Sequence, residues 1–157
     1  MAAAASAKVT HVDASKPAIT WARENQALSD LTDKPIRWIL DDAMKFVTRE
    51  IKRNVLYDGI ILDPPIYGHG PGGETWDLMK DLPKLVNLCQ KVLSQNPLFV
   101  VVNAYAVSAS ATMLENILRS SLQNRKGQYS CGELALEEST GGRMLSTGIF
   151  GRWERAG

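Results

Sequence analysis

Acidic side chains follow three separate apolar runs of this sequence, each directly after the run ends. Asp13 follows THV, Asp41 and Asp42 follow IRWIL, and Asp63 follows GIIL. A carboxylate offers two oxygens that accept hydrogen bonds, so it can bind a pair of hydroxyls or an amine. If the runs are parallel strands, their carboxyl ends meet at the sheet edge where α/β proteins bind their ligands. The sequence therefore predicts a ligand site built from these acids.

Two of these acids suit the two parts of a nucleoside. Asp13 is placed to accept hydrogen bonds from both hydroxyls of a ribose, and Asp42 is placed to accept one from an exocyclic base amine. The alternative is that Asp13 and Asp42 only cap the helices that follow them, because aspartate is favoured at helix N-termini. Both interpretations stay open at this point.

The segment DPPIY, residues 63–67, is a sharper signal. Two prolines directly after a buried strand end the strand ladder and restrict the backbone, which suits a rigid acceptor site. An entering base amine can donate hydrogen bonds to the Asp63 carboxylate and the Pro64 carbonyl, while Tyr67 offers a ring face for stacking. The alternative is a rigid turn with an incidental aromatic residue. The position after a strand, beside two other strand-end acids, favours the site, and GHGPGG at 68–73 is expected to be a mobile loop that closes over a substrate.

The elements that must position these residues alternate between strand and helix. Short apolar or β-branched runs predict strands over 8–14, 36–41, 57–63 and 98–105. Two further runs, QYSCGELAL and MLSTGIFGRWER, are separated by a turn-rich segment and predict a C-terminal antiparallel hairpin. The pattern predicts an α/β fold with a doubly wound, mostly parallel sheet.

Helical periodicity fills the segments between these strands. Ser15 is the expected N-cap of a helix from about 16 to 30, and Asp42 that of the next helix. A long amphipathic helix is marked by apolar residues from 82 onwards, and Thr112 with Glu115 is expected to form a capping box for the last one. Further expectations concern single side chains: Trp21 and Trp38 belong to the core, and Cys89 and Cys131 are structural thiols.

Composition limits the class of protein. The chain has 157 residues with 45% hydrophobic and 22% charged residues and a net charge of +1, which predicts one compact domain over residues 1–157. No run approaches the roughly 20 apolar residues of a membrane span, and MAAAASAK lacks the features of a secretory signal, so a cytoplasmic location is expected. The chain has two histidines, His11 and His69, which are far apart in the sequence. No metal site is therefore predicted.

The runs VDAS, WARENQAL, DDAMKF and DPPIY at these spacings resemble class I S-adenosylmethionine-dependent methyltransferases over nearly the whole chain. They are most similar to ribosomal RNA large-subunit methyltransferases that carry DPPxF or DPPxY. The resemblance implies a Rossmann-like fold, S-adenosylmethionine as cofactor and RNA, in particular ribosomal RNA, as substrate. It also implies site residues: Asp13 and Ala14 at the cofactor ribose, Asp42 and Ala43 at its adenine, and Asp63, Pro64, Pro65 and Tyr67 at the methyl-transfer site, where Asp63 also faces the cofactor.

The sequence departs from the family in its first element. Members begin with a strand and a glycine-rich loop around the methionine part of the cofactor, and no such segment precedes Asp13. A class I sheet without its first strand is therefore expected, and the strands that flank the gap should have unpaired edges that favour self-association. This departure keeps an alternative open, a non-catalytic or fragmentary Rossmann-like module that no longer binds the cofactor.

A second departure bears on the reaction. Relatives that methylate carbon 5 of cytosine use a cysteine after the strand that follows the DPP loop, whereas this chain has VVVNAYAVS there, with Asn103 and Tyr105. A covalent cysteine mechanism is therefore disfavoured. Direct transfer to a base nitrogen needs only alignment and desolvation of the amine and is the preferred prediction, with an oxygen or protein acceptor left open. A dehydrogenase is less suitable, because the sequence lacks GxGxxG.

Overall fold

The computed structural model describes residues 2–70, 72–105 and 108–156. Its strands and helices alternate along the chain, and the last two strands form a long hairpin. In chain order the elements are β1 (Val9–Asp13), α1 (Lys16–Leu28), β2 (Ile36–Leu40), α2 (Ala43–Lys52), β3 (Gly59–Leu62), β4 (Tyr67–His69), β5 (Thr75–Asp77), α3 (Leu78–Cys89), β6 (Phe99–Ala104), α4 (Ala111–Ser121), β7 (Gly127–Glu137) and β8 (Met144–Arg155).

The main strands lie in two sheets. β1 and β2 form a parallel pair whose register runs from Val9 opposite Ile36 to Asp13 opposite Leu40. The larger sheet has the order β3-β6-β8-β7, in which β3 is parallel to β6 and β8 is antiparallel to both β6 and β7. The predicted α/β alternation, the parallel pairs and the C-terminal hairpin are confirmed.

Both sheets pack against the same helices. Phe46 of α2 and Leu85 of α3 form one buried cluster, and partly buried side chains from both sheets, including Val12 and Ile60, pack against it. A second cluster joins α3 and α4 to the four-stranded sheet; it includes Leu82, Val100, Leu114, Leu118 and Trp153. Helix α3 contributes to both clusters, and it thereby links the two sheets through one helical layer.

The edges of β1 and β3 that face away from their partners are open. In the described part of the chain, β1 is hydrogen-bonded only to β2, and β3 has β6 as its sheet neighbour. The unpaired strand edges that the sequence predicts are therefore confirmed for the described residues.

Three expectations about local structure are wrong. Trp21 is 68% exposed, because the two strands that α1 covers are too few to bury the whole apolar face of the helix. The N-cap of α4 is Ser110 rather than Thr112, and the Glu115 carboxylate bonds Arg119 instead of closing a capping box. The segment around 68–73 is not simply a loop, because β4 and β5 pair antiparallel across it.

The described helices include none with the length and apolar character needed to cross a membrane.

Candidate active site

The carboxyl ends of β1 and β2 are tied together by the backbone. The Asp41 N–H donates a hydrogen bond of 3.0 Å to the Asp13 carbonyl, so the two strand ends lie side by side. Asp13 Oδ1 accepts a 2.7 Å bond from the backbone N–H of Ser15, which itself caps α1. No described residue donates to Asp13 Oδ2. The half-buried carboxylate is therefore held in one orientation with one oxygen available for a ligand.

Asp41 and Asp42 have different roles at the end of β2. Asp42 Oδ1 accepts a 2.8 Å bond from the Lys45 N–H, so the prediction that Asp42 is the N-cap of α2 is confirmed. Asp41 accepts a bond from the Asp42 N–H at 2.9 Å and forms an ion pair with Arg49. Asp42 keeps its second oxygen free of donors from the described residues, and capping and ligand binding are therefore compatible at this position.

Asp63 follows β3 and is exposed, with Pro64 half-buried beside it. No described residue donates a hydrogen bond to the Asp63 carboxylate or to the Pro64 carbonyl. The next carbonyl differs, because the indole Nε1–H of Trp76 donates a 2.7 Å bond to Pro65. Tyr67 is 73% exposed, so its ring face is open to solvent. The segment thus presents two free acceptors and one aromatic face.

A cleft of about 270 Å³ lies between the start of α2 and the hairpin of β4 and β5. Its lining includes Asp42 and Lys45 from the start of α2, and Glu74 and Trp76 from the hairpin of β4 and β5. An ion pair between Lys45 and Glu74 crosses it. The structure therefore brings Asp42 and the hairpin together directly, and Asp13 comes close through its backbone bond to Asp41. Asp63 and Tyr67 do not line this cleft.

A larger cleft, of about 430 Å³, lies between α3 and α4. Its lining is rich in hydroxyl and amide side chains, among them Asn87, Ser110, Asn116 and Ser120, and contains none of the predicted site residues. No carboxylate, histidine or cysteine of the described ranges lines it, so this cleft lacks the groups that the predicted chemistry requires.

The side chains that hold the hairpin were not identified from the sequence. Trp76, Lys45 and Glu74 connect the hairpin to Pro65 and to α2. The signal available in the sequence is the pair Thr75–Trp76, a β-branched and an aromatic residue directly after a glycine-rich turn, which is typical of the second strand of a hairpin.

The pKa values of both cysteine thiols are raised above the ordinary value. Burial raises the pKa of the Cys89 thiol to about 12, so it stays protonated and unreactive at neutral pH. A hydrogen bond to Glu115 raises the pKa of Cys131 as well. Within residues 2–70, 72–105 and 108–156, no three histidine, cysteine or acidic side chains are grouped so as to hold a metal ion.

Comparison with known proteins gives the chain's relatives. No family model matches it. A SAM-dependent methyltransferase from Agrobacterium tumefaciens is 46% identical, and its crystal structure superposes with a TM-score of 0.95 over 99% of this chain and 51% of that one. The chain has the fold of a class I S-adenosylmethionine-dependent methyltransferase. The predicted resemblance is thereby confirmed.

Two further likenesses are more limited. The ribosomal RNA large subunit methyltransferase K/L of Shewanella sp. (strain MR-4) is 33% identical over 90 residues, which is 56% of this chain and 13% of that protein. SMU.776, a structure complexed with SAH, has a TM-score of 0.71 at 17% identity over 92% of this chain and 38% of that one, a likeness in fold alone. The chain thus spans about half of the Agrobacterium structure and about an eighth of the curated relative.

Proposed function

We propose that this chain is the catalytic part of an S-adenosylmethionine-dependent methyltransferase that methylates a base nitrogen of RNA, in particular ribosomal RNA. The observation that carries the proposal is the segment after β3, where the Asp63 carboxylate and the Pro64 carbonyl are free of donors from the described residues. Free acceptors on a backbone restricted by two prolines suit an amine that must be held in one orientation. The likeness to the Agrobacterium and Shewanella methyltransferases supports the same activity.

The residues at the ends of β1 and β2 fit the nucleoside part of the cofactor. The Asp13 carboxylate has one oxygen fixed by Ser15 and the other free, and this free oxygen can accept from a ribose hydroxyl. Asp42, whose cap bond to Lys45 leaves Oδ2 available, can accept from the adenine amine. The half-buried Ala14 and Ala43 beside them are small enough to let a planar base and a sugar approach the backbone.

S-adenosylmethionine, when bound, supplies an electrophilic methyl group. The Asp63 carboxylate and the Pro64 carbonyl accept hydrogen bonds from the two N–H groups of the exocyclic amine, and they thereby direct the nitrogen lone pair away from the loop. The Asp63 carboxylate takes up the proton that the nitrogen loses when it gains the methyl group. Tyr67 stacks on the target base and holds it out of the RNA stack. No side-chain nucleophile is required for this reaction, in agreement with the buried, protonated Cys89.

The wider proposals follow from this assignment. Residues 1–157 form a single partial catalytic domain, the RNA substrate is met in the cytoplasm, and the open edges of β1 and β3 are the surface through which copies self-associate. The same open edges favour one competing function, a non-catalytic module with this fold that does not retain the cofactor.

Titration with S-adenosylhomocysteine separates these two functions. We expect the purified chain to bind it in calorimetry, and Asp13→Ala to weaken binding roughly 10- to 100-fold, since each hydrogen bond to a charged group contributes about 1.5–3 kcal/mol. Asp33→Ala, an exposed acid in the turn before β2, is the matched control and should bind as the unmodified chain does. Absence of binding by a chain that circular dichroism shows to be folded supports the non-catalytic module.

The acceptor role is tested by methyl transfer to unmodified ribosomal RNA transcribed in vitro. Asp63→Ala should lower kcat roughly 100-fold, the effect of removing an oriented hydrogen-bonding group from a reacting centre, while affinity for S-adenosylhomocysteine changes less than about threefold. Asp58→Ala alters an exposed acid just before β3, at the opposite end of that strand, and is expected to leave kcat unchanged. Equal rates for Asp63→Ala and Asp58→Ala would remove Asp63 from the site.

A further inference from the structure

The segment that carries Asp63, Pro64 and Pro65 has few backbone donors with which to stabilise its own conformation. Proline has no N–H, so two successive residues of this segment offer no backbone donor. The proline rings fix φ at both positions, and each proline also restricts ψ of the residue before it. The ψ angle of Pro65 is the torsion that these restrictions leave free, and it determines where the Pro65 carbonyl and the following residues lie.

Trp76 supplies the missing restraint. Its indole Nε1–H donates a 2.7 Å hydrogen bond to the Pro65 carbonyl, which fixes that remaining torsion. The ring itself is anchored, because it packs against both buried clusters of the protein. Trp76 also pairs with Gly68 across the hairpin, and a Cβ at Gly68 would lie 3.4 Å from the Pro65 ring. The Pro65 ring thus lies close beside the hairpin backbone at Gly68, and its carbonyl is bonded to Trp76 of the same hairpin.

Both ends of this hairpin are fixed to the rest of the protein. At the base, the Leu78 N–H donates a 2.9 Å bond to the Ile66 carbonyl, where the chain enters α3. At the tip, the Glu74 carboxylate accepts a 2.9 Å bond from the Gly72 N–H and forms the ion pair with Lys45 of α2. The hairpin is therefore a fixed support on which Trp76 holds the segment after β3.

The hydrogen bond from Trp76 to Pro65 also distinguishes the acceptor groups of this segment from one another. Pro65 already has a donor inside the protein, whereas Pro64 and the Asp63 carboxylate have none among the described residues. We propose that Trp76 is a positioning residue, which uses its indole N–H to hold Pro65 inward so that Asp63 and Pro64 face the amine of the substrate. This inference rests on the proposed function, because it assigns the orientation of the same acceptor site.

Trp76→Phe tests the proposal, because phenylalanine keeps most of the ring packing and removes the N–H. We expect kcat for RNA methylation to fall roughly 10-fold, since the amine is no longer aligned, with KM for RNA and affinity for S-adenosylhomocysteine within about twofold. Trp153→Phe is the matched control. Trp153 is 1% exposed, and its Nε1 has no partner in the described structure, so the same substitution there disturbs the core without breaking a bond to the site.

If both substitutions only loosen the packing, both variants should have a lower melting temperature. In that case kcat should be unchanged in both variants or lowered by the same factor in both. A fall in kcat that is specific to Trp76→Phe supports the positioning role. Equal values of kcat for Trp76→Phe and Trp153→Phe would overturn it, as would an effect of Trp76→Phe on KM alone.

A second measurement does not depend on activity. In a ¹⁵N-labelled chain, the indole proton of Trp76 should exchange with solvent more slowly than that of Trp21, whose side chain is 68% exposed. Trp76→Phe should speed amide exchange at Ile66 and Tyr67, whereas Trp153→Phe should not. If no RNA is methylated by the unmodified chain, the proposed function fails, and this exchange still decides whether Trp76 holds the segment. Unchanged exchange at Ile66 and Tyr67 in Trp76→Phe contradicts the inference.

Discussion

The four-stranded sheet contains side chains that are removed from solvent completely, whereas β1 and β2 contain none. Val100, Val102 and Trp153 in the larger sheet are each 1% exposed. Every residue of β1 is only half-buried, and the residues of β2 are either half-buried or exposed. Parallel strands are normally covered on both faces and paired on both edges, and an isolated pair of strands is marginally stable. The smaller sheet therefore depends on contacts outside itself.

A buried carboxylate provides one of those contacts. Glu50 of α2 is 1% exposed and accepts hydrogen bonds from Arg37 of β2 at 3.0 Å and from the Tyr57 hydroxyl, just before β3, at 2.6 Å. Burial alone would raise the pKa of Glu50, but the hydrogen bonds from Tyr57 and Arg37 and the charge of Arg37 outweigh it and lower the pKa below its ordinary value. Glu50 thereby ties the smaller sheet to the chain segment that enters the larger one.

The difference between the sheets divides the candidate site. Asp13 and Asp42, proposed for the cofactor, follow the weaker sheet, while Asp63 follows the stronger one and its loop is held by Trp76. We therefore expect the proposed cofactor side to have the lower local stability, while the bond from Trp76 to Pro65 holds the proposed acceptor side.

The largest expected effect comes from one substitution made in the core beside the larger sheet, at Leu118 of α4, and again in the smaller sheet, at Leu40 of β2. Leu118→Ala, at a side chain that is 0% exposed, should lower the free energy of unfolding by about 3–5 kcal/mol, because it loses transfer energy and leaves a cavity. Leu40→Ala in β2, where the leucine is 50% exposed, should lower it by less than about 1 kcal/mol. Urea denaturation followed by circular dichroism measures both. Equal losses would show that Leu40 is covered as fully as Leu118 and would remove the contrast.

A smaller effect is expected from Glu50→Gln, which keeps the shape of the side chain and removes its charge. The free energy of unfolding at pH 7 should fall by about 2–3 kcal/mol, since hydrogen bonds to a charged group are lost while Arg37 remains partly hydrated. Glu24→Gln on the exposed face of α1 is the control and should have little effect. Amide exchange should rise in β1 and β2 before it rises in β6, and a uniform rise would mean that Glu50 does not serve the smaller sheet in particular.

The pH dependence of unfolding gives a second test with the same pair of variants. Because the folded pKa of Glu50 is lowered, its contribution is complete above the ordinary value of 4.5 and is lost as pH falls through the folded pKa. The pKa of Tyr57 is raised by burial and by its bond to Glu50, so its contribution is complete below 10 and is lost as pH rises above that value. Glu50→Gln should therefore flatten the acid side of the stability profile relative to Glu24→Gln.

The sequence predicted helix N-termini and strands correctly where residues a few positions apart determine the local structure. Ser15 and Asp42 cap α1 and α2 as expected, because a side-chain oxygen next to free helix N–H groups is stabilising whatever surrounds it. Strands rich in branched apolar residues were found to within two residues at each end. At Thr112 the same kind of rule failed, since Ser110 is the N-cap in its place and the helix begins two residues earlier.

The hairpin of β4 and β5 was missed for a different reason. Its strands have three residues each, Tyr67–His69 and Thr75–Asp77, too few to show a period of two, and the glycines between them favour a loop in any local reading. What fixes the hairpin is distant in sequence: the ion pair of Glu74 with Lys45 and the bond of Trp76 to Pro65. Trp21 shows the opposite error, because helical spacing indicates a buried face, whereas burial requires a partner surface wide enough to cover it.

The sequence by itself determined the order of strands and helices, the caps of α1 and α2 and the acids at the ends of three strands, because each depends on residues within a few positions of one another. Only the tertiary structure decided that β8 lies between β6 and β7, that α3 connects two sheets with open edges, and that Asp42 and the hairpin share a cleft. It also decided which carbonyl of the two prolines is held and which is free. These features depend on contacts between segments far apart in the chain, and such contacts are chosen by packing, burial and hydrogen-bond partners that no local pattern specifies.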